Sequence, residues 1–413
     1  MPENQVEGQL TFSVVSSLGF IPVDNATITI TTANQPDDII ATLTTDENGQ
    51  TDTITLPTPP FALSQAPGDI QPYASYNVEI TAPGYEDVRI EGTEMLSEVT
   101  ALQPVRMNPV EEDDIAKDLI IIPEHTLFGD FPPKIPEAEI KPLDESGEIV
   151  LSRVVIPEYV VVHDGVPDDD SAPNYYVRYK DYIKNVASCE IYATWPEAAL
   201  YANILCIQSF TLNRVYTEWY RNKGYNFTIT SSTAYDQKWS YGRNIFENID
   251  FIVDSIFNNF LSRPGVTQPI LASYCDGDRV SCVGLSQWGS KYLGEQGYRA
   301  IEIIRYYFGN DMYINSTDMI SGVPSSYPGY VLTIGSSGDK VRQLQQQLNR
   351  ISQNYPLIPQ VAVDGIYGPR TAEAVRVFQQ VFRLPQTGTV GYATWYEISD
   401  VFVAVSRIAE PGT

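Results

Sequence analysis

One acidic side chain stands out by its surroundings. Glu190 lies in YIKNVASCEIYATWPEAALYANILCIQSF, residues 182–210, between Ala187, Cys189, Ile191 and Ala193. Burial among small and apolar neighbours favours the protonated form of a carboxyl. A carboxylic acid kept protonated near neutral pH can pass its proton to the leaving oxygen of a glycosidic bond. Farther along comes VGLSQWGSKYLGEQGY, residues 283–298, rich in glycine, amides and aromatic rings. There Ser286 offers a hydroxyl, Gln287 an amide for an N-acetyl group, and Trp288 a ring for a sugar face. Tyr235, Gln237 and Trp239, in TSSTAYDQKWSYGR at 230–243, suit the lining of the same kind of groove. Plainer roles stand beside these. The plainer reading of Glu190 is a solvent-facing helix residue, GLSQWGS can serve as packing, and loop aromatics are often merely exposed. Asp276 and Asp278 in YCDGDR are a second acid or the caps of a turn, and the turn is preferred. Glu197 follows Pro196 at a helix start, where a carboxylate complements the helix dipole.

The elements that must position these groups follow from periodicity. YKDYIKNVASCEI has apolar residues at helical spacing, and Pro196 can open a second helix running to residue 222. FTITSST at 227–233 and PILASYCDG at 269–277 read as strands, residues 245–261 as a helix, and GYRAIEIIRYYFG as a closing helix. An α+β module over 171–320 is expected. Before it, residues 1–109 alternate apolar and polar in GQLTFSVVS, ATITITT, IIATLTT, TDTITL and YNVEITA, with DENGQ as a turn. An all-β sandwich is expected there. Residues 110–170 carry the acidic run VEEDDIAKD and prolines at 123, 132, 133, 136 and 142, which predict an accessible linker with little regular structure. Residues 328–402 predict a three-helix unit, with Gly335 and Gly338 ahead of a helix from Asp339.

Charge is divided unevenly. Residues 1–170 hold 32 acidic and 6 basic side chains, while the remainder is close to neutral. No basic patch suits a nucleic acid, and an acidic leader does not attract an anionic wall polymer. No run is apolar enough for a membrane span. MPENQVEGQL lacks the basic and apolar regions of a secretory signal peptide. The four cysteines, Cys189, Cys206, Cys275 and Cys282, are too few for a disulfide scaffold. Cys275 and Cys282 are close enough to form a disulfide, share a metal or remain thiols.

The two motifs together resemble the stage II sporulation protein D family of peptidoglycan lytic transglycosylases. The first, E-x-x-x-x-W-P-x-E-A-L in that family, is matched by Glu190, Trp195, Pro196, Ala199 and Leu200; its second glutamate falls on Ala198. The second, G-x-S-Q-x-G-A, is matched from Gly284 to Gly289, with Ser290 at its last position. The resemblance implies a catalytic acid at Glu190 and a 1,6-anhydro product, formed when the C6 hydroxyl of muramic acid attacks its own C1. Relatives can carry a structural zinc held by Cys and His; His125 and His163 are far from the cysteines in sequence, so no metal and no cofactor are expected. The first 109 residues resemble the transthyretin-like or carboxypeptidase-regulatory-like sandwiches. The last module resembles the peptidoglycan-binding type 1 domain, which implies wall-binding roles for Asp364, Tyr367, Arg370 and Gln379; Asp364 could instead only cap a turn. The order of modules is similar to the clostridial spore cortex-lytic enzymes. It implies a latent precursor opened by a protease within 108–170, stored in the spore cortex or coat, or otherwise kept in the cytoplasm until lysis. The alternatives are a non-catalytic wall-binding scaffold and a phage-like or lysis-released autolysin.

Overall fold

The computed structural model describes residues 6–18, 20–33, 35–110, 118–141, 153–281, 283–321 and 327–407. The N-terminal region consists of β1 (Val6–Ser16), β2 (Thr27–Thr32), β3 (Gln35–Thr44), β4 (Ile54–Thr58), β5 (Ala74–Thr81), β6 (Val88–Met95), β7 (Thr100–Met107) and β8 (Asp118–Ile121). Period-two alternation sends Leu10, Phe12 and Val14 of β1 and Ile28 and Ile30 of β2 into a common core with Val78, Ile80 and Ile90. One sheet has the order β3-β2-β5-β6-β8. At the DENGQ turn, Asp46 accepts from the backbone of Asn48 and Gln50, both at 2.9 Å. Gly49 has φ +71 there, and a side chain at this position would collide with the Val14 carbonyl.

The central module follows as β9 (Tyr159–His163), β10 (Asn174–Arg178), α1 (Tyr179–Glu190), α2 (Glu197–Tyr216), β11 (Ile229–Thr230), β12 (Ile245–Phe246), α3 (Glu247–Ile256), β13 (Asn259–Ser262), β14 (Tyr274–Cys275), β15 (Leu285–Ser286), α4 (Gln287–Glu295), α5 (Ala300–Phe308) and β16 (Tyr313–Ser316). Helix α2 is buried on nearly every side, as its almost uninterrupted apolar and small residues require. Several sequence expectations are shortened. Helix α2 ends at Tyr216 rather than 222, and the expected strands at 227–233 and 269–277 pair only at β11 and β14. The expected helix over 245–261 is confined to α3, because its two ends are taken up by strand partners, β7 for β12 and β16 for β13. The β12–β7 pairing completes a second sheet, β12-β7-β1-β4, so the central module supplies an edge strand to the N-terminal region. A buried ion pair, Arg243–Glu94 at 2.7 Å, and Trp195 Nε1 donating to Ser64 O at 2.9 Å reinforce that junction.

The C-terminal unit is helical, with α6 (Asp339–Ile351), α7 (Pro369–Val381) and α8 (Tyr392–Arg407). Helix α8 docks on the central module. Tyr392 and Tyr396 pack against Phe257, and Glu397 and Asp400 meet Lys180 of α1. Lys180 and Lys184 also pair with Asp254, and Lys184 with Asp250, at 2.6–3.5 Å.

The expectation of an accessible linker over 110–170 is corrected for its described part. Strand β8 pairs in parallel with β6, and residues 124–141 run as an extended strap across the central module. Ile135 N donates to Ala234 O and Leu271 N to Glu139 O, both at 2.7 Å. Proline excludes helix and central strand, but an extended chain with charged side chains is still able to bind a complementary surface. Among the described residues no helix is long and apolar enough to cross a membrane.

Candidate active site

Helix α1 ends at Glu190, where Ile191 turns to extended geometry. The Glu190 side chain is only 5% exposed and is held from three directions. Gln287, the first residue of α4, donates from Nε2 to the Glu190 carbonyl at 2.9 Å and to Oε2 at 3.3 Å. Lys238 N donates to Oε1 at 2.9 Å. The Thr126 hydroxyl of the strap has its one proton between Cys189 O at 2.9 Å and Oε2 at 3.2 Å. Ser286 N-caps α4, accepting from Gly289 N at 3.0 Å, and so fixes the start of the helix that presents Gln287.

The carboxyl opens on a cavity of about 80 Å³ shared by Gln287, Tyr274 and Asp276 of the central module and Phe131 and Lys134 of the strap. The Lys134 ammonium is enclosed there. It donates to Thr233 O at 3.3 Å and to Asp236 O, and lies over the rings of Phe210 and Tyr274 at 5.2 and 5.1 Å. Burial pulls its pKa below the ordinary lysine value, while the charges of Glu190 and Asp236 oppose that shift. Asp276 spends its carboxylate on the backbone N–H groups of Asp278, Arg279 and Val280, as the turn reading expects.

Several sequence candidates are turned inward. Trp288 is 3% exposed and packs on Trp195 at 4.9 Å and on Tyr192 and Tyr292, so its ring serves the core and no face is open to a sugar. Gln237 is fully buried, accepts from Tyr182 and Thr211, and donates to Ile207 O. Trp239 is buried against Tyr175. Tyr235 is half-buried and lends its carbonyl to Arg214. Removing large rings from water outweighs leaving them free for a ligand. Only Gln287 of these candidates touches Glu190; Ser286 acts through it.

The wall-binding candidates also divide. Tyr367 and Gln379 are buried and bind the Gly388–Thr389 loop, through Tyr367 to Gly388 O at 3.0 Å and Gln379 to Thr389 O at 2.9 Å. Asp364 accepts from Gln345 and Ile366 N, a turn-capping role, whereas Arg370 is exposed. The donors for a zinc do not fit. Cys275 is disulfide-bonded, and Cys189 and Cys206 are buried free thiols; Cys282 lies outside the described residues. His163 is engaged by Asn174 and Val166 O, His125 is buried against Tyr192, and no metal-holding cluster occurs among the described residues.

Sequence reasoning missed the strap side chains Thr126, Lys134, Glu137 and Glu139 and their partners Arg214 and Arg263. Arg214 forms a fork with Glu137, Nη1–Oε2 at 3.0 Å and Nη2–Oε1 at 2.5 Å, while its Nε holds Asp236 at 2.7 Å. Arg263 is bidentate on Glu139 at 2.7 and 2.8 Å. The signal was present in KIPEAEIK, where charges of both signs are interleaved with isoleucines, a pattern that a free linker does not require.

A family profile described as a peptidoglycan binding domain matches residues 337–398. The zinc D-Ala-D-Ala carboxypeptidase of Streptomyces albus G is 43% identical over 68 residues, which is 16% of this chain and 25% of that protein. The chain thus spans a quarter of the length of that curated relative. Among solved structures, the SleB N-terminal domain is 33% identical with a TM-score of 0.15, covering 17% of this chain and 92% of the other. The minor pilin GBS52 of Streptococcus agalactiae is 15% identical with a TM-score of 0.19, covering 27% and 48%. The multidomain chain therefore carries a C-terminal segment, residues 337–398, that matches a peptidoglycan-binding domain.

Proposed function

We propose that this protein is a peptidoglycan lytic transglycosylase with Glu190 as its acid, kept latent by the strap. The observation that carries this reading is the position of the Glu190 carboxyl: nearly buried, oriented by Gln287, and opening on a cavity closed by Thr126, Phe131 and Lys134. Glu190 would protonate the oxygen that leaves on cleavage of the muramic acid–glucosamine bond. The C6 hydroxyl of the same muramic acid then bonds to C1, and its proton returns to the Glu190 carboxylate. Atoms and charge balance without water. A hydrolase needs a second carboxylate as base or nucleophile. The other central-module carboxylate lining the cavity, Asp276, is occupied by backbone donors, which favours the intramolecular route.

Latency has a direct physical basis. Thr126 lies against the oxygen that would carry the acidic proton, and the Lys134 ammonium, lining the same cavity, would repel positive charge developing on a bound sugar. A protease that frees residues 124–141 would uncover both. The module order supports the spore cortex as the wall substrate, with activation at germination. The relative named a D-Ala-D-Ala carboxypeptidase supports a wall-cutting enzyme without supporting a glycan cut.

The test compares Glu190→Gln with the unchanged side chain, both in the full chain loosened by Lys134→Ala and Glu137→Gln. The loosened chain is expected to release 1,6-anhydro muropeptides from cortex, detected by mass spectrometry. Glu190→Gln should lower the rate by at least about a hundredfold. Reducing muramic acid ends would indicate hydrolysis. Wall binding without release of fragments from either chain would leave a scaffold.

A further inference from the structure

Where the strap leaves Glu190 behind, it lies on two arginines. Glu137 and Glu139 are two residues apart on an extended chain, so both side chains face the same side. Each is gripped by one guanidinium, Glu137 by Arg214 and Glu139 by Arg263. The Arg214 side chain has no exposure at all, and its Nη fork has Glu137 as its carboxylate acceptor, since Asp236 takes Nε. Asp236 is itself fixed by the Tyr220 hydroxyl and by Thr230 N and Oγ1, at 2.6–2.9 Å. The fork therefore keeps its position if the strap departs. It would then present two N–H donors that need a new planar acceptor, because unsatisfied guanidinium donors in a desolvated site are costly. Trp219 stands beside Arg214, 5.0 Å from its guanidinium, and its ring also carries Lys223 at 3.3 Å and the strap's Lys141 at 4.4 Å, so departure of the strap uncovers part of it.

We infer that Arg214 and Arg263, with Trp219, form a subsite for a dianionic peptide, and that Glu137 and Glu139 occupy it as internal stand-ins for substrate carboxylates. The inference rests on the proposed release of the strap and names the substrate class more closely: glycan bearing peptide stems. A stem that contains a γ-linked D-glutamate offers a free α-carboxylate and a terminal carboxylate on one extended chain. A guanidinium fork matches a carboxylate bidentately, whereas it has no such match with a sugar hydroxyl. Stem-bearing strands would thus be held at the arginines while the glycan reaches Glu190.

The probe is the tripeptide Nα-acetyl-L-alanyl-γ-D-glutamyl-Nε-acetyl-L-lysine, whose two carboxylates are its only charges. Its binding is measured by calorimetry on the full chain carrying Lys134→Ala, Glu137→Gln and Glu139→Gln. This variant is expected to bind at least about tenfold more tightly than the unchanged chain. Arg263→Gln added to it should remove that gain, and so should Arg214→Lys, which keeps the charge but not the fork. The same peptide with both carboxylates amidated should not bind. In the unchanged chain, millimolar tripeptide should compete with the strap and speed proteolytic nicking within 124–141; the amidated peptide should not. Equal effects of charged and amidated peptides, or no effect of either in both assays, overturn the subsite. Activity separates this outcome from failure of the Glu190 reading. If the loosened chain cuts stem-bearing and amidase-stripped glycan equally well, the subsite alone fails. If it binds tripeptide but cuts neither glycan, the subsite stands and the catalytic reading fails.

Discussion

Helix α8 and the 124–141 strap both lie against the central module through buried charges, but only α8 brings an apolar core with it. Trp395, Ile398, Val401 and Val405 of α8 are buried, and Tyr392 and Tyr396 close on Phe257. The strap has Leu127 buried near its start; beyond it, Pro132, Pro133, Ile135 and Ile140 are exposed and the grip is made by Lys134, Glu137, Glu139 and Lys141. Hydrophobic burial and ion pairs act together in holding α8. Beyond Leu127 and Phe128 the strap depends on charge pairing and backbone hydrogen bonds, so residues 132–141 can be displaced by a cut or a competing anion without opening a core. The two covers use the same ion-pair chemistry and differ in the apolar area beneath them.

The largest expected effect is on the α8 side. Lys180→Met removes the ammonium that Glu397 and Asp400 of α8 share with Asp254, and should cost about 3–5 kcal/mol in urea unfolding. A loss below about 1 kcal/mol would mean that packing alone fastens α8. On the strap side, Glu137→Gln weakens the acceptor for a buried guanidinium and should cost about 1–3 kcal/mol. That loss should be local: hydrogen exchange should rise at Ile135 while the amides of α8 keep their protection. Uniform exchange would break the distinction between the two covers.

Acid should separate them further. Burial, with the Arg243 charge adding to it, holds His125 well below its ordinary 6.5; Tyr73 and Tyr192 are the other groups that face its ring. The unfolded chain gains a proton near 6.5 that the docked histidine refuses, so this stability is full above 6.5 and is lost as pH falls toward the folded value. On α8, burial works against ionisation of Glu397, but Lys180 and Lys184 hold it at about 2; its contribution is present above the ordinary 4.5 and is lost only below that. Burial pushes Asp250 up to about 6, so its contribution is lost as pH rises through 6 and grows as pH falls. Between pH 6.5 and 4.5 the strap should therefore loosen while α8 stays docked. Nicking of 124–141 by an acid-tolerant protease measures this, and His125→Phe should flatten the dependence. The smallest effect is expected at the exposed Arg376–Glu373 pair on α7, where Arg376→Ala should change stability by no more than about 0.5 kcal/mol.

Much of the architecture was legible in local pattern. Alternation located β1, β2 and β5, helical spacing located α1 and α5, and the glycines before Asp339 marked the start of α6. The pairing of Glu190 with Gln287 was legible too, since two separated motifs had to converge for either to make sense. The inward turn of Trp288, Gln237 and Trp239 was not. Polar and aromatic residues look alike in sequence whether they line a groove or close a core, and only their neighbours in space decide.

By itself the chain determined many of its elements and marked Glu190 as a candidate acid, because periodicity and turn chemistry act over a few residues. Tertiary structure alone decided what covers that acid. The proline-rich stretch has no period that marks a partner, and its hold on Arg214 and Arg263 joins residues far apart in sequence. Such pairing is set by the shape and charge of the whole assembled surface.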